Sequence, residues 1–145
     1  MSQSNRHETV IRVRYQETDQ MGVVHHSNYA VWFEVGRTAL IQEIGISYGE
    51  LERRGILLPV VDLHCRFNLP ARYEEEVRIV TRIREMRGPK ITFSYEVRRL
   101  TDDVLLARGE TIHLWTDREM KRFNLEHREP ELFRKLQTLH QPSEE

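Results

Sequence analysis

Asn28-Tyr29-Ala30-Val31-Trp32-Phe33-Glu34-Val35-Gly36-Arg37-Thr38-Ala39-Leu40-Ile41-Gln42-Glu43-Ile44 is the stretch that decides the fold. Tyr29, Trp32, Phe33, Gly36, Leu40 and Ile44 recur at spacings of three and four, which predicts a helix with one wide apolar face. Ala30, Val31, Val35, Ala39 and Ile41 add apolar surface on its other sides. A helix apolar this far round is expected to be buried on most of its circumference. Ser27 or Asn28 is the expected N-cap, and Gly45 the expected stop.

Working outward, residues 9–16 alternate and predict a strand ahead of the helix. A short second helix is expected over 48–54, ending at Gly55. Residues 56–69 are apolar with one proline, while 76–85, 91–100 and 104–116 read as long strands. The turns between them are Arg87-Gly88-Pro89-Lys90 and Thr101-Asp102-Asp103, and residues 131–139 suit a terminal helix. Long strands joined by short turns imply an antiparallel sheet. That sheet must curl around the apolar helix, giving an α+β roll of about five strands. One sheet and one helix leave an edge open, which side-by-side dimerisation would close.

The 145 residues favour one domain, taken as 8–140, with 1–7 and 141–145 as loose tails. Charged residues make up 31% with a net charge of -1, so nothing in the balance draws the chain to nucleic acid or anionic membranes. No apolar run approaches a membrane span and the start lacks a signal-peptide core, so a cytoplasmic setting without membrane insertion is expected. Cys65 is the only cysteine and sits among apolar residues, which reads as a buried structural thiol. His64 and His113 are expected to be satisfied sheet histidines.

The chemistry-bearing segment is Tyr15-Gln16-Glu17-Thr18-Asp19-Gln20-Met21-Gly22-Val23-Val24-His25-His26-Ser27-Asn28-Tyr29. It delivers a carboxylate, a glycine turn and two histidines to a helix N-terminus, where free N–H groups suit a developing oxyanion. Asp19 could fold back as general base or nucleophile. Each residue also has an ordinary role: Asp19 closing an Asx-turn, Tyr15 packing, Glu17 an exposed strand-end charge, His25 and His26 a surface pair. With no third ligand at suitable spacing, no metal site is expected.

Tyr15-x-Glu-Thr-Asp19-x-Met-Gly22-Val-Val-x-His26-x-Asn28-Tyr29, followed by Trp32-Phe33-Glu34 and Arg37, resembles the signature of the 4-hydroxybenzoyl-CoA thioesterase family. Its closest resemblance is to the Tol–Pal-associated bacterial acyl-CoA thioesterases. The resemblance implies a hotdog fold, dimers that pair into homotetramers, and a hydrolase acting on an acyl-CoA thioester without a cofactor. It implies Asp19 as catalytic carboxylate, the backbone N–H near His26 polarising the carbonyl, and Tyr15 and His26 as its side-chain partners. His25 stands where those relatives carry an aromatic residue, which points to it as a shaper of the acyl pocket. Arg87 and Lys90, with Arg82 and Arg84, are the basic residues expected near the coenzyme phosphates. Glu34 is a competing carboxylate, with an ion pair to Arg37 as its ordinary role. Other readings are hydrolysis of 1,4-dihydroxy-2-naphthoyl-CoA or an acyl-carrier-protein thioester, and an acyl-CoA-binding module without turnover. The retained Tyr15, Asp19 and His26 favour the enzyme.

Overall fold

The computed structural model describes residues 6–140. Helix α1 (Ser27–Gln42) is the expected apolar helix, with Tyr29, Trp32, Phe33, Leu40 and Ile41 buried. Its N-cap is His26, already in helical geometry, and not Ser27 or Asn28. Ser27 instead hydrogen-bonds the His25 ring, and the Asn28 amide donates to the Glu17 and His25 carbonyls.

Five antiparallel strands form one sheet in the order β1-β3-β4-β5-β2. They are β1 (Arg6–Arg12), β2 (Val60–Phe67), β3 (Glu76–Arg87), β4 (Lys90–Arg99) and β5 (Leu105–Leu114). The central three form a meander, and the earlier strands flank it at both edges. One face builds the core shared with α1, with Val77, Ile79, Ile91, Phe93, Val97 and Ala107 each fully buried. Phe33 stacks on Tyr95 at 4.2 Å, the closest-packed ring pair of that contact. At Gly109 an added Cβ would lie 2.7 Å from the Phe33 ring, so only glycine lets the helix side chain settle on the sheet there. This one-helix roll is the hotdog architecture expected from the sequence. Several strand and helix ends differ from the expectation.

The first strand lies at Arg6–Arg12, so residues 6 and 7 belong to it and not to a tail. Residues 1–5 and 141–145, the rest of the two expected tails, lie outside the described residues. Beyond Arg12 the chain turns in, with the Val13 N–H donating to the Glu75 carbonyl, and residues 15–17 form a 3-10 turn, the first two of them expected in the strand. The apolar run 56–69 is strand only over Val60–Phe67, which forms an exposed edge of the sheet. Helix α2 (Tyr48–Arg53) is capped by the Ser47 hydroxyl. The C-terminal segment carries two helices, α3 (Leu125–Arg128) and α4 (Pro130–Gln137), where one was expected. The break falls at Glu129, before a proline that occupies the first turn of α4.

Candidate active site

The Asp19 loop is held at the end of the sheet where β3 begins. The Val24 N–H donates to the Ala71 carbonyl, and Val23 bridges to Arg72. Within the loop, the Asp19 N–H donates to the Val23 carbonyl, and the Gly22 N–H to the Asp19 carbonyl. Gly22 has φ 79°, a left-handed turn that a side chain would strain. Asp19 Oδ1 accepts from the Met21 N–H at 2.8 Å and the Val23 N–H at 3.4 Å. The ordinary Asx-turn role is therefore real. Among the described residues it engages one carboxylate oxygen only, and Asp19 also lines a cavity of about 310 Å³. His25, His26 and Tyr29 wall one side of that cavity, and Phe67 to Pro70 the other.

The His26 N–H stands at the start of α1 with no acceptor among the described residues, as expected of a first-turn donor. The preceding N–H, of His25, donates to the Glu17 carbonyl instead. The His25 and His26 rings stack at 4.2 Å, and His26 meets the edge of Phe67. Phe67 also packs edge-on against Tyr29 at 5.0 Å. Burial pushes the Tyr29 hydroxyl above its ordinary range, so it stays protonated as a donor. Asp19, His26 at the positive end of the helix, and an aromatic wall thus line one space.

Glu17 is the residue that sequence reasoning misjudged. It is 5% exposed, not a strand-end surface charge. Its carboxylate accepts from the Arg14 N–H at 2.7 Å and from the buried Trp32 indole at 3.1 Å. Its carbonyl takes the His25 N–H and the Asn28 amide. Glu17 therefore ties the loop to α1 from both its backbone and its side chain. The signal was the spacing to Trp32, a buried donor that needs an acceptor.

The remaining sequence candidates fall in different places. Tyr15 is 73% exposed and packs edge-on against Tyr73 at 5.6 Å, outside the wall of the Asp19 cavity. Glu34 is exposed on α1 and lines a separate space of about 190 Å³ with Arg37 and Tyr48. No Glu34–Arg37 ion pair forms; Arg37 donates to the Tyr95 hydroxyl at 3.4 Å. Arg87 and Lys90 flank the β3–β4 turn, and Lys90 pairs with Glu85. Twelve residues of β3 separate that turn from the Asp19 end, roughly 35 Å of strand. Within one subunit these two bases do not meet the cavity. His113 is fully buried, with its ring on the Leu58 carbonyl and the Thr111 hydroxyl, whereas His64 is exposed on β2. Cys65 is half-buried, and burial pushes its thiol up to about 11, far from nucleophilic at neutral pH. No group of three or more potential metal ligands occurs among the described residues. Nor, among them, is any helix long and apolar enough to cross a membrane.

The roll with a carboxylate loop at the helix start defines a thioesterase-type enzyme. The chain belongs to the thioesterase-like superfamily, whose family model matches residues 13–136. It is 41% identical to YneP of Bacillus subtilis (strain 168) over 109 residues, covering 75% of this chain and 78% of that one. Identity to the acyl-CoA thioester hydrolase YbgC of Escherichia coli O157:H7 is 28% over 107 residues, covering 74% and 79%. The chain is thus more similar to YneP than to YbgC. A solved DHNA-CoA thioesterase from Staphylococcus aureus superposes with TM-score 0.84 at 33% identity, covering 92% of each chain.

Proposed function

We propose that this protein hydrolyses an acyl- or aryl-CoA thioester, with Asp19 supplying the attack and the His26 N–H polarising the carbonyl. The observation that carries this is the divided role of the Asp19 carboxylate. Oδ1 is fixed by two backbone donors while the side chain lines a cavity beside a free helix-start N–H. Attack on the thioester carbon, by Asp19-activated water or by Asp19 itself, places negative charge on the carbonyl oxygen. That charge is where a preorganised N–H has its largest effect. The C–O bond forms and the C–S bond breaks; the thiolate leaves and takes up a proton, giving free acid and coenzyme A. In the covalent route, water then cleaves the acyl–Asp19 anhydride. Asp19→Asn keeps the shape and removes the base, and so tests the assignment.

Tyr15, outside the cavity of its own subunit, enters this scheme only from across a subunit seam. The walls of the cavity are aromatic, with His25, His26, Tyr29 and Phe67 presenting rings. This favours an aryl-CoA substrate, in line with the DHNA-CoA thioesterase likeness. His25 is the wall residue with which the substrate class should vary.

A dimer completes the site in this proposal. Strand β2 is an edge, and Val60, Val61, Leu63 and Phe67 are each more than 40% exposed along it. On the opposite edge, β1, Val10 is the one large hydrophobic exposed among the described residues, so β2 is the more apolar edge and the one suited to pairing. Two-fold pairing of β2 with its copy runs antiparallel and sets the partner's Val60 end against this subunit's Phe67 end. Since Val60 pairs with His113, and Leu114 with Lys90, the partner subunit's β3–β4 turn then faces the same end as Asp19. Arg87 and Lys90, distant within one chain, thereby become candidates for coenzyme phosphates across the seam.

A further inference from the structure

We propose that the outer face of the sheet carries a binding site for the phosphate groups of a nucleotide, built from Arg66, Arg108 and Arg82. This rests on three observations: the shape of that face, its charge pairing, and the strand register.

The register fixes which side chains share the face turned away from α1. Cys65 and Gly109 face the helix, so their neighbours Arg66 and Arg108 project outward. Arg82, Ser94 and Glu110 lie in one row across β3, β4 and β5, also outward. These residues surround a depression of about 460 Å³.

Elsewhere on this face each arginine has an acid. Arg12 pairs with Glu76, Arg78 with Glu8 and Asp103, Arg84 with Glu110, and Arg98 with Glu96. Arg66, Arg82 and Arg108 have no ion pair among the described residues. Moreover, Arg66 and Arg108 stand directly opposite in the β2–β5 register. Like charges directly opposite on antiparallel strands are destabilising, and the acid beside this pair is Glu96, opposite Arg108 in the β4–β5 register. The two acids in the depression, Glu96 and Glu110, are already engaged by Arg98 and Arg84. The surplus positive charge is therefore left to an external anion, in a protein whose net charge is only -1.

Guanidinium forks match phosphate oxygens two at a time. Arg66 and Arg108 together suit one phosphate. Arg82 lies two strands away from Arg108, about 10 Å across the sheet, which suits a second phosphate of the same molecule. A single inorganic ion would not span both. Arg66 also immediately precedes Phe67, a wall of the Asp19 cavity, so the depression lies round the same strand end. The nucleotide has two sources: the phosphate-bearing end of the coenzyme A thioester, which rests on the function proposed above, or a separate nucleotide.

The probe is adenosine 3′,5′-bisphosphate, titrated calorimetrically into the intact protein at low salt. We expect Arg66→Gln/Arg108→Gln to weaken its binding at least tenfold, Arg82→Gln by severalfold, and Arg98→Gln, an ion-paired neighbour, hardly at all. No binding to the parent at millimolar probe, or a double variant within twofold of it, overturns the site. Relieving the like-charge pair predicts a melting temperature no lower than the parent's, so a variant that fails to fold also counts against it. Kinetics separate the two sources. A raised KM for acyl-CoA at constant kcat, with an acyl-pantetheine substrate unaffected, assigns the site to the coenzyme. Probe binding that acyl-CoA does not displace assigns it to a separate nucleotide. Because the titration needs no turnover, an inactive protein that binds the probe refutes the hydrolase proposal alone, and an active one that does not refutes this site alone.

Discussion

Glu17 and His113 show how one buried polar side chain can set the behaviour of its surroundings. Glu17 joins the Asp19 loop to the Trp32 indole of α1, so the loop's position follows from a core contact and not from loop chemistry. His113 sits between the Leu58 carbonyl and the Thr111 hydroxyl, and Thr111 in turn meets the Tyr95 hydroxyl. Burial, reinforced by the charge of Arg37 and partly opposed by the Leu58 carbonyl, pushes the His113 pKa down to about 4. The folded protein thus binds fewer protons at His113 than the unfolded chain, whose histidine titrates near 6.5. This contribution to stability is complete above pH 6.5 and is lost as pH falls toward 4, on the order of 3 kcal/mol in all. Chemical denaturation from pH 7 to pH 4 should therefore show a shallower pH slope for His113→Gln than for the parent. Equal slopes would mean that His113 is not held neutral.

At the scale of elements, periodicity carried most of the fold. The 3.6-residue pattern of α1 and the alternation of β3 and β4 were legible because each buries one face or stripe on a single core. The edge position of β2 was not legible, because an apolar run looks the same whether it is buried within its own chain or left open as an edge. The 3-10 turn at Tyr15–Glu17 was missed because the strand is ended there by tertiary contacts, Val13 to Glu75 and Glu17 to Trp32, acting with the local Arg14–Glu17 bonds. The β2 edge makes its own prediction. Leu63→Glu places a charge on each side of the proposed seam and should weaken dimerisation at least tenfold in sedimentation. Thiol release should fall with it. An unchanged dimer would move the interface elsewhere.

For the whole molecule, the sequence supplied Asp19, His25 and His26 as a group, and the structure brings these three to one cavity. It separates Arg87 and Lys90 from them by the length of a strand, a distance set by register and invisible in linear sequence. Two-fold β2 pairing reconciles the two, and mixed dimers test it. Subunits carrying Asp19→Asn, mixed with subunits carrying Arg87→Gln/Lys90→Gln, form one intact site per hybrid if coenzyme phosphates are held across the seam. Hybrids should then have a KM near the parent's and about half its kcat. A KM as high as that of the Arg87→Gln/Lys90→Gln homodimer would place phosphate recognition within one subunit.

Asp19 remains the point on which the rest depends, as a turn aspartate with one oxygen tied and its side chain on the cavity. The most direct measurement is steady-state thiol release by Asp19→Asn against a panel of acyl- and aryl-CoA esters. Loss of a general base or nucleophile predicts a fall in kcat of about 10² to 10⁴, with KM little changed. Turnover close to the parent's would contradict the assignment and direct attention to Glu34.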